Sequence, residues 1–163
     1  MFYCLVAGSR DFNDYEVLEL MLDTMLRNHK EITIVCGGCR GADALAERYA
    51  KERGCECKVF PAEWDKYGKK AGYIRNEQMH KYIAEMAEAQ GAPRKRGCVL
   101  FWDGKSKGTS HSIDLAEKYD NALRIVYYEL IRKELDAGGK VPTRQCFRAE
   151  NPKPVEMGDE RDV

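Results

Sequence analysis

Short apolar runs alternate along this chain with stretches in which apolar residues recur every three or four positions. The runs are Phe2 to Ala7, Ile32-Thr-Ile-Val-Cys36, Cys57-Lys-Val-Phe-Pro61, Cys98-Val-Leu-Phe-Trp102 and roughly 122–128. Each is five to seven residues, rich in β-branched or aromatic side chains, and bounded by glycine, proline or polar residues, which reads as a buried strand. Between them, residues 14–29 carry Leu18, Met21, Leu22 and Met25 on one helical face, and 42–53 carry Ala42, Leu45, Ala46, Tyr49 and Ala50. Residues 73–89 do the same with Met79, Tyr82, Ile83 and Met86; a further helix runs to about Tyr119, and a last one covers 128–136. Asn13 with Glu16 three positions on suggests a capping box for the first helix, and Gly54 stops the second. Residues 62–72 (AEWDKYGKKAG) read as a loop.

Strands alternating with helices predict an α/β fold: a doubly wound, mainly parallel five-stranded sheet with helices on both faces. In such sheets ligands bind beyond the carboxyl ends of the strands, where strand order reverses. Three polar, glycine-containing loops follow strands one, two and four: Gly8-Ser9-Arg10, Gly37-Gly38-Cys39-Arg40-Gly41, and Asp103-Gly104-Lys-Ser106-Lys-Gly108-Thr109. An order of 3-2-1-4-5 brings all three to that reversal. The expected domain is residues 1–136, with 137–163, rich in glycine, proline and mixed charge, as a flexible tail.

Each loop has a chemical reading beside a plainer one. Glycines in the second let a ligand approach the main chain, and the helix start behind it presents free N–H groups and the positive end of a dipole. There Arg40 can pair with a phosphate or carboxylate, and Asp43 can accept from ribose hydroxyls; the plain alternative is a turn with Asp43 favouring the helix start. The third loop reads as a phosphate-binding turn in which Ser106 and Thr109 donate hydroxyls, or as a helix start capped by Thr109 or Ser110. It is not a Walker A loop, because Val99 stands where that motif needs glycine. Arg75 and Asn76 open the third helix, and a cation there opposes the dipole, so Arg75 should have an anionic partner, either a ligand or a local carboxylate such as Glu77. His111 is a candidate acid or base. The basic turn Arg94-Lys95-Arg96 reads as solvated surface and as the best candidate contact for nucleic acid.

Bulk composition narrows the classes. Lys+Arg and Asp+Glu both number 27, so no overall field recruits nucleic acid or anionic membrane, and nucleic acid is disfavoured as a partner. No apolar run is long enough to span a bilayer, and the N-terminus lacks a basic leader. Seven cysteines, several in apolar runs, suggest reduced thiols in a cytoplasmic protein. Cys36 and Cys39, with Cys55 and Cys57, have spacings that fit zinc or redox chemistry, but Cys36 would face the core; no metal or cofactor is expected. A homo-oligomer is compatible with all of this.

Taken together, Gly8-Ser-Arg10 with Asp14, Gly37-Gly-x-Arg-Gly-Ala-Asp43, Trp64, Ala71-Gly-x-x-Arg-Asn-x-x-Met79 and Trp102-Asp-Gly-x-Ser-x-Gly-Thr109 resemble the SLOG superfamily, specifically its YspA-like branch of small bacterial and phage proteins. The resemblance spans about residues 3–119. It implies a Rossmann-like fold and a pocket for a nucleotide or nucleotide-derived ligand, and the wider superfamily includes sensors of NAD-derived signals. The wider superfamily also includes phosphoribohydrolases and a DNA-processing protein that binds single strands. The hydrolases carry P-G-G-x-G-T-x-x-E, whose glutamate position is Ser112 here. That substitution leaves N-glycosidic cleavage as an alternative in which Asp43 or Asp103 would have to supply the carboxylate. A single-strand module using Lys69, Lys70, Arg94 and Arg96 with Trp64 and Tyr67 is a second alternative.

Overall fold

The computed structural model describes residues 1–139 and the backbone of 147–149. Five parallel strands, β1 (Phe2–Gly8), β2 (Ile32–Cys36), β3 (Glu56–Val59), β4 (Arg96–Trp102) and β5 (Ala122–Tyr127), lie in the order β3-β2-β1-β4-β5. A sixth, β6 (Phe147–Ala149), pairs antiparallel with β5 and adds an edge strand inside the stretch expected as a tail. The rest of that expected tail beyond residue 139 lies outside the described residues.

The helices are α1 (Tyr15–Leu26), α2 (Ala42–Arg53), α3 (Trp64–Tyr67), α4 (Ala71–Ala89), α5 (Lys107–Lys118) and α6 (Tyr128–Asp136), with a 3-10 turn over Gly68–Lys70. Alternation along the strands sorts the interior into two layers, as a pleated strand requires. Cys4, Val6, Ile34, Cys36, Val99, Phe101 and Val126 face one side, where they pack with Val17, Leu18, Met21 and Leu22 of α1, Ala46 and Tyr49 of α2 and Ile131 of α6. Tyr3, Leu5, Val35, Cys98, Leu100, Trp102 and Ile125 face the other, against Met79 and Ile83 of α4 and Ile113 of α5. Burying a side chain such as Phe101 or Leu100 completely contributes about 1.5–3 kcal/mol each, so both layers hold the sheet flat-side in. The winding changes face between β1 and β4. Strands β1 and β2 lead into helices on the first face, whereas α4 and α5 cover the second, and the loops after β1 and β4 part at that point.

Several local expectations give way to packing. The cap of α1 is Asp14, whose Oδ1 accepts from the Val17 N–H at 3.3 Å, not Asn13. Both residues are good caps, and Asp14 prevails because Arg132 of α6 also binds its carboxylate. The 62–72 segment is not a plain loop: it holds α3 and the 3-10 turn, and α4 starts at Ala71. Strand β4 begins at Arg96, which removes that residue from the basic turn. Arg96 is buried, donates to the Tyr119 carbonyl at 2.9 Å and pairs with Glu88 at 3.5 Å, so it is a structural tie and not a free cation.

Candidate functional site

Beyond the carboxyl ends of β1, β2 and β4 lies a cavity of about 540 Å³, within the size range of small-molecule sites. Three helices of eight residues or more begin at its wall, α2 with Arg40 and Asp43, α4 with Gly72, Tyr73, Arg75 and Asn76, and α5 with Ser106, Gly108 and Thr109. At none of the three does the N-cap side chain accept from a helix N–H, whereas at α1, which does not line the cavity, Asp14 does. Helix starts of this kind favour negative charge.

Backbone ties hold the loops together. The Ser9 N–H donates to the Phe101 carbonyl at 2.9 Å, and the Asp103 N–H donates to the Ser9 hydroxyl at 3.2 Å, so the β1 and β4 loops form one unit. Asp103 Oδ1 accepts from the N–H groups of both Lys105 and Ser106 at 2.8 Å, which shapes the start of α5 from outside the helix. The indole N–H of Trp102 donates to the Ser106 carbonyl at 3.1 Å, and the Thr109 hydroxyl lies 3.3 Å from that of Ser106. Thr109 is thus buried within α5 and is not its cap. Gly41, at φ +80°, has no room for a side chain: a Cβ there would stand 2.5 Å from the carbonyl oxygens of Ser9 and Arg10. The second loop therefore lies directly on the first.

Arg75 turns out to be the centre of the β2 loop. Because α4 starts four residues earlier than Arg75, the guanidinium does not oppose the helix dipole, and its partner is not Glu77, which binds Lys118 and Tyr119 instead. Buried to 7 % exposure, Arg75 donates to the Gly37 carbonyl at 2.5 Å and to Asn76 Oδ1 at 2.9 Å, and contacts Cys39 Sγ at 3.6 Å. A Cβ at Gly37 would collide with this guanidinium. Asn76 then donates to the Gly108 carbonyl at 3.5 Å, reaching the β4 loop.

Asp43 sits beside Arg75 with one oxygen, Oδ2, accepting from the Cys39 N–H at 3.1 Å. Its other oxygen is buried with no hydrogen-bond partner among the described residues. Burial pushes the Asp43 carboxyl above the ordinary carboxylate range, against the opposing pull of the Cys39 N–H, the Arg75 charge and the Gly37 N–H. A buried, half-satisfied carboxyl in a cavity can accept a hydrogen bond from a ligand hydroxyl or hold a proton.

The remaining cations are differently placed. Arg10, Lys69 and Lys105 line the cavity and, among the described residues, make no ion pair. Arg40 has only an exposed contact with Asp11 at 3.7 Å, of a kind that contributes little. His111 is half-buried outside the wall and edge-on to the Tyr73 ring, 4.7 Å between centroids, and burial lowers its pKa.

Of the residues singled out in the sequence, Gly8, Ser9, Arg10, Arg40, Asp43, Arg75, Asn76, Asp103, Ser106, Gly108 and Thr109 line the cavity. Gly37, Gly38, Gly41 and Gly104 do not line it but set the backbone beneath it; Gly38 and Gly104 have φ of 76° and 83°. Tyr73, Lys105, Ser112 and Met79 also line it, as do Trp64 and Lys69. Tyr73 carried a signal that pattern reading passes over: it stands off the apolar face of its helix yet is a large aromatic.

A sequence profile of the YspA, cpYpsA-related SLOG family matches residues 3–67, which take in the β1 and β2 loops and Trp64. The "Gene 61 protein" of Mycobacterium phage D29 is 32 % identical over 120 residues, covering 70 % of this chain and 87 % of that protein. The chain belongs to this SLOG family. Its sheet order and doubly wound helices are those of the Rossmann-like architecture expected for it. Ser112 is buried in the cavity wall and brings no charge to it. Among the described residues no helix is long and apolar enough to cross a membrane, and no group of three or more His, Cys, Asp or Glu side chains is arranged to hold a metal ion.

Proposed function

We propose that the cavity binds a nucleotide or nucleotide-derived small ligand, and that the protein acts as a sensor of it. The observation that carries this reading is the set of cations without an ion pair among the described residues, Arg10, Lys69 and Lys105, around a cavity into which three helices begin. An anionic group on the ligand would meet these side chains together with Ser9, Ser106 and the N–H groups of the α2 and α5 starts. Asp43 would accept from a ribose hydroxyl through its unpartnered oxygen. Arg75 and Asn76 would hold the walls in register and not carry the anion themselves, since their polar atoms already serve the loops. Balanced net charge and the structural use of Arg96 count against a single-strand nucleic-acid module.

The test is thermal stabilisation by nucleoside monophosphates and dinucleotides, followed in the unmodified protein and in an Arg10→Ala/Lys105→Ala variant. The reading expects a rise in Tm with at least one such compound and its loss in the variant, at unchanged basal Tm. No rise with any of them contradicts it.

One observation favours a second reading, cleavage of an N-glycosidic bond. Asp43 is a cavity carboxyl with one oxygen unpartnered among the described residues, able when ionised to replace the missing glutamate in stabilising positive charge on the sugar. Chromatography of nucleoside monophosphates after incubation with the protein separates the two: the binding reading expects only trace release of free base. Rapid release abolished by Asp43→Asn would establish the hydrolase.

A further inference from the structure

Trp64 and Tyr73 are two of the three large hydrophobic side chains that remain exposed among the described residues, at 48 % and 44 %, and both line the cavity. The third, Leu130 of α6, does not. Two unrelated stretches of sequence thus leave an aromatic face open at one place, in a protein that buries Phe12, Phe101 and Trp102 completely. Neither ring is loose. The Trp64 ring tip, Cη2, lies 3.5 Å from the point where a Cβ on Gly72 would stand, so the indole rests on bare backbone one residue before Tyr73. Tyr73 packs against the His111 ring in a T-shaped contact at an interplanar angle of 77°, with 44 % of its surface still exposed. Burial lowers the His111 pKa, which favours the uncharged ring beside Tyr73.

The rest of the wall is polar and cationic: Lys69 lies five residues from Trp64 on the adjoining 3-10 turn, and Arg10 and Lys105 come from the β1 and β4 loops. An apolar ligand would gain from the rings but leave those cations unmatched. A simple anion would match the cations but leave two exposed rings without purpose. The ligand that uses both has an anionic group and a planar aromatic group joined by a short polar spacer.

We propose that Trp64 and Tyr73 form an aromatic subsite that stacks the base of a nucleotide whose phosphate is held by Arg10, Lys69 and Lys105. This rests on the binding function proposed above and assigns the end of the cavity that recognises the base. Tyr67, the other aromatic of α3, does not line the cavity, so the stacking pair is Trp64 with Tyr73 and not Trp64 with its sequence neighbour. Base–aromatic stacking tolerates any base and commonly adds about ten- to hundredfold in affinity per base.

Two ligands separate the subsite from the phosphate site: AMP, and ribose 5-phosphate, which has the same phosphate and sugar but no base. Calorimetry measures both affinities. Intrinsic fluorescence follows the ring directly, because the protein has two tryptophans and Trp102 is fully buried. The proposal expects AMP to bind at least tenfold more tightly than ribose 5-phosphate and to quench Trp64 emission, with no quenching by the sugar phosphate. Trp64→Ala and Tyr73→Ala should each bring AMP toward the affinity of ribose 5-phosphate while leaving the latter unchanged, and Trp64→Phe should restore most of the preference. Equal affinity for the two compounds in the unmodified protein, or a preference for AMP that survives Trp64→Ala and Tyr73→Ala together, overturns the aromatic subsite while the cavity remains a phosphate site. Binding of neither compound overturns the subsite as stated for AMP, and if no nucleoside monophosphate or dinucleotide raises Tm either, the nucleotide reading falls with it.

Discussion

Asp14 and Asp43 stand at the starts of two neighbouring helices, and their surroundings treat them in opposite ways. At the head of α1, Asp14 accepts from the Val17 N–H and takes both arms of Arg132, at 2.8 and 2.9 Å, and the Arg132 hydrogen bonds hold its carboxyl below the ordinary range. At the head of α2, Asp43 is buried, has one oxygen unpartnered, and is pushed above that range. The same contrast extends to the cations around each. On the α1–α2–α6 face, Arg53 binds Glu19 and Asp23, Arg48 binds Glu52, and Arg132 also reaches Glu16 and Asp136. At the cavity, Arg10, Lys69 and Lys105 have no such partners among the described residues. One region is closed on itself electrostatically, and the other is arranged for something that arrives from outside. Charge content alone does not mark a site; charge left unmatched at a preformed cavity does.

The largest effect expected from breaking this contrast is at Arg75, a buried cavity cation whose hydrogen bonds hold the β2 loop. Arg75→Ala leaves the Gly37 carbonyl without its donor and the Asp43 carboxyl without its nearby positive charge, and should cost about 2–4 kcal/mol of stability, read from denaturant unfolding. Arg75→Lys should not rescue it, because a single ammonium cannot serve the Gly37 carbonyl, Asn76 and Cys39 together. Next comes Asp14→Ala, which removes the α1 cap and should cost about 1 kcal/mol, whereas Asp14→Asn keeps the cap and loses only a partly screened ion pair.

The two aspartates also predict opposite pH dependences. The folded-state pKa of Asp14 lies below its unfolded value, so its stabilisation is present above the ordinary carboxylate pKa and is lost as pH falls through the folded value. Asp43 is the reverse: the folded state holds its proton more tightly, so its contribution falls as pH rises from the ordinary carboxylate pKa through the raised one. Unfolding titrations between about pH 3 and 7 should therefore show Asp14→Asn approaching the unmodified protein toward acid. Asp43→Asn should gain relative to the unmodified protein toward neutral pH. Parallel curves for the two variants would remove the distinction drawn here. The smallest stability effect belongs to Arg10→Ala and Lys105→Ala, expected within about 0.5 kcal/mol of zero, because neither side chain has an ion-pair partner among the described residues. Their effect should appear in ligand affinity instead.

Much of the fold is legible in the sequence, because buried parallel strands leave apolar runs and their helices leave a period near 3.6. The glycine loops after β1, β2 and β4 mark the sheet edge, and strand order 3-2-1-4-5 follows from bringing them together. What escapes is whatever depends on an exact boundary or on a distant partner. Arg75 reads as a ligand-facing cation only while α4 is thought to begin at 73; with Ala71 as its first residue, the side chain reaches back to the β2 loop. Arg96 looks like surface until β4 is extended two residues to include it. The antiparallel β6 is three residues long, too short for alternation to register, and its pairing with β5 is a long-range contact that no local pattern encodes. Tyr73 differs again: its exposure at the cavity is a property of where α4 and α5 meet, not of its neighbours in sequence.

The central claim is the location of the binding site, and backbone amide chemical-shift mapping during a titration with AMP tests it most directly. The account predicts perturbations concentrated at residues 8–11, 37–43, 72–76 and 103–109, with the α1–α6 face around Arg132 and the Arg94-Lys95 turn unmoved. Shifts confined to that face or that turn, with the three loops silent, would contradict it.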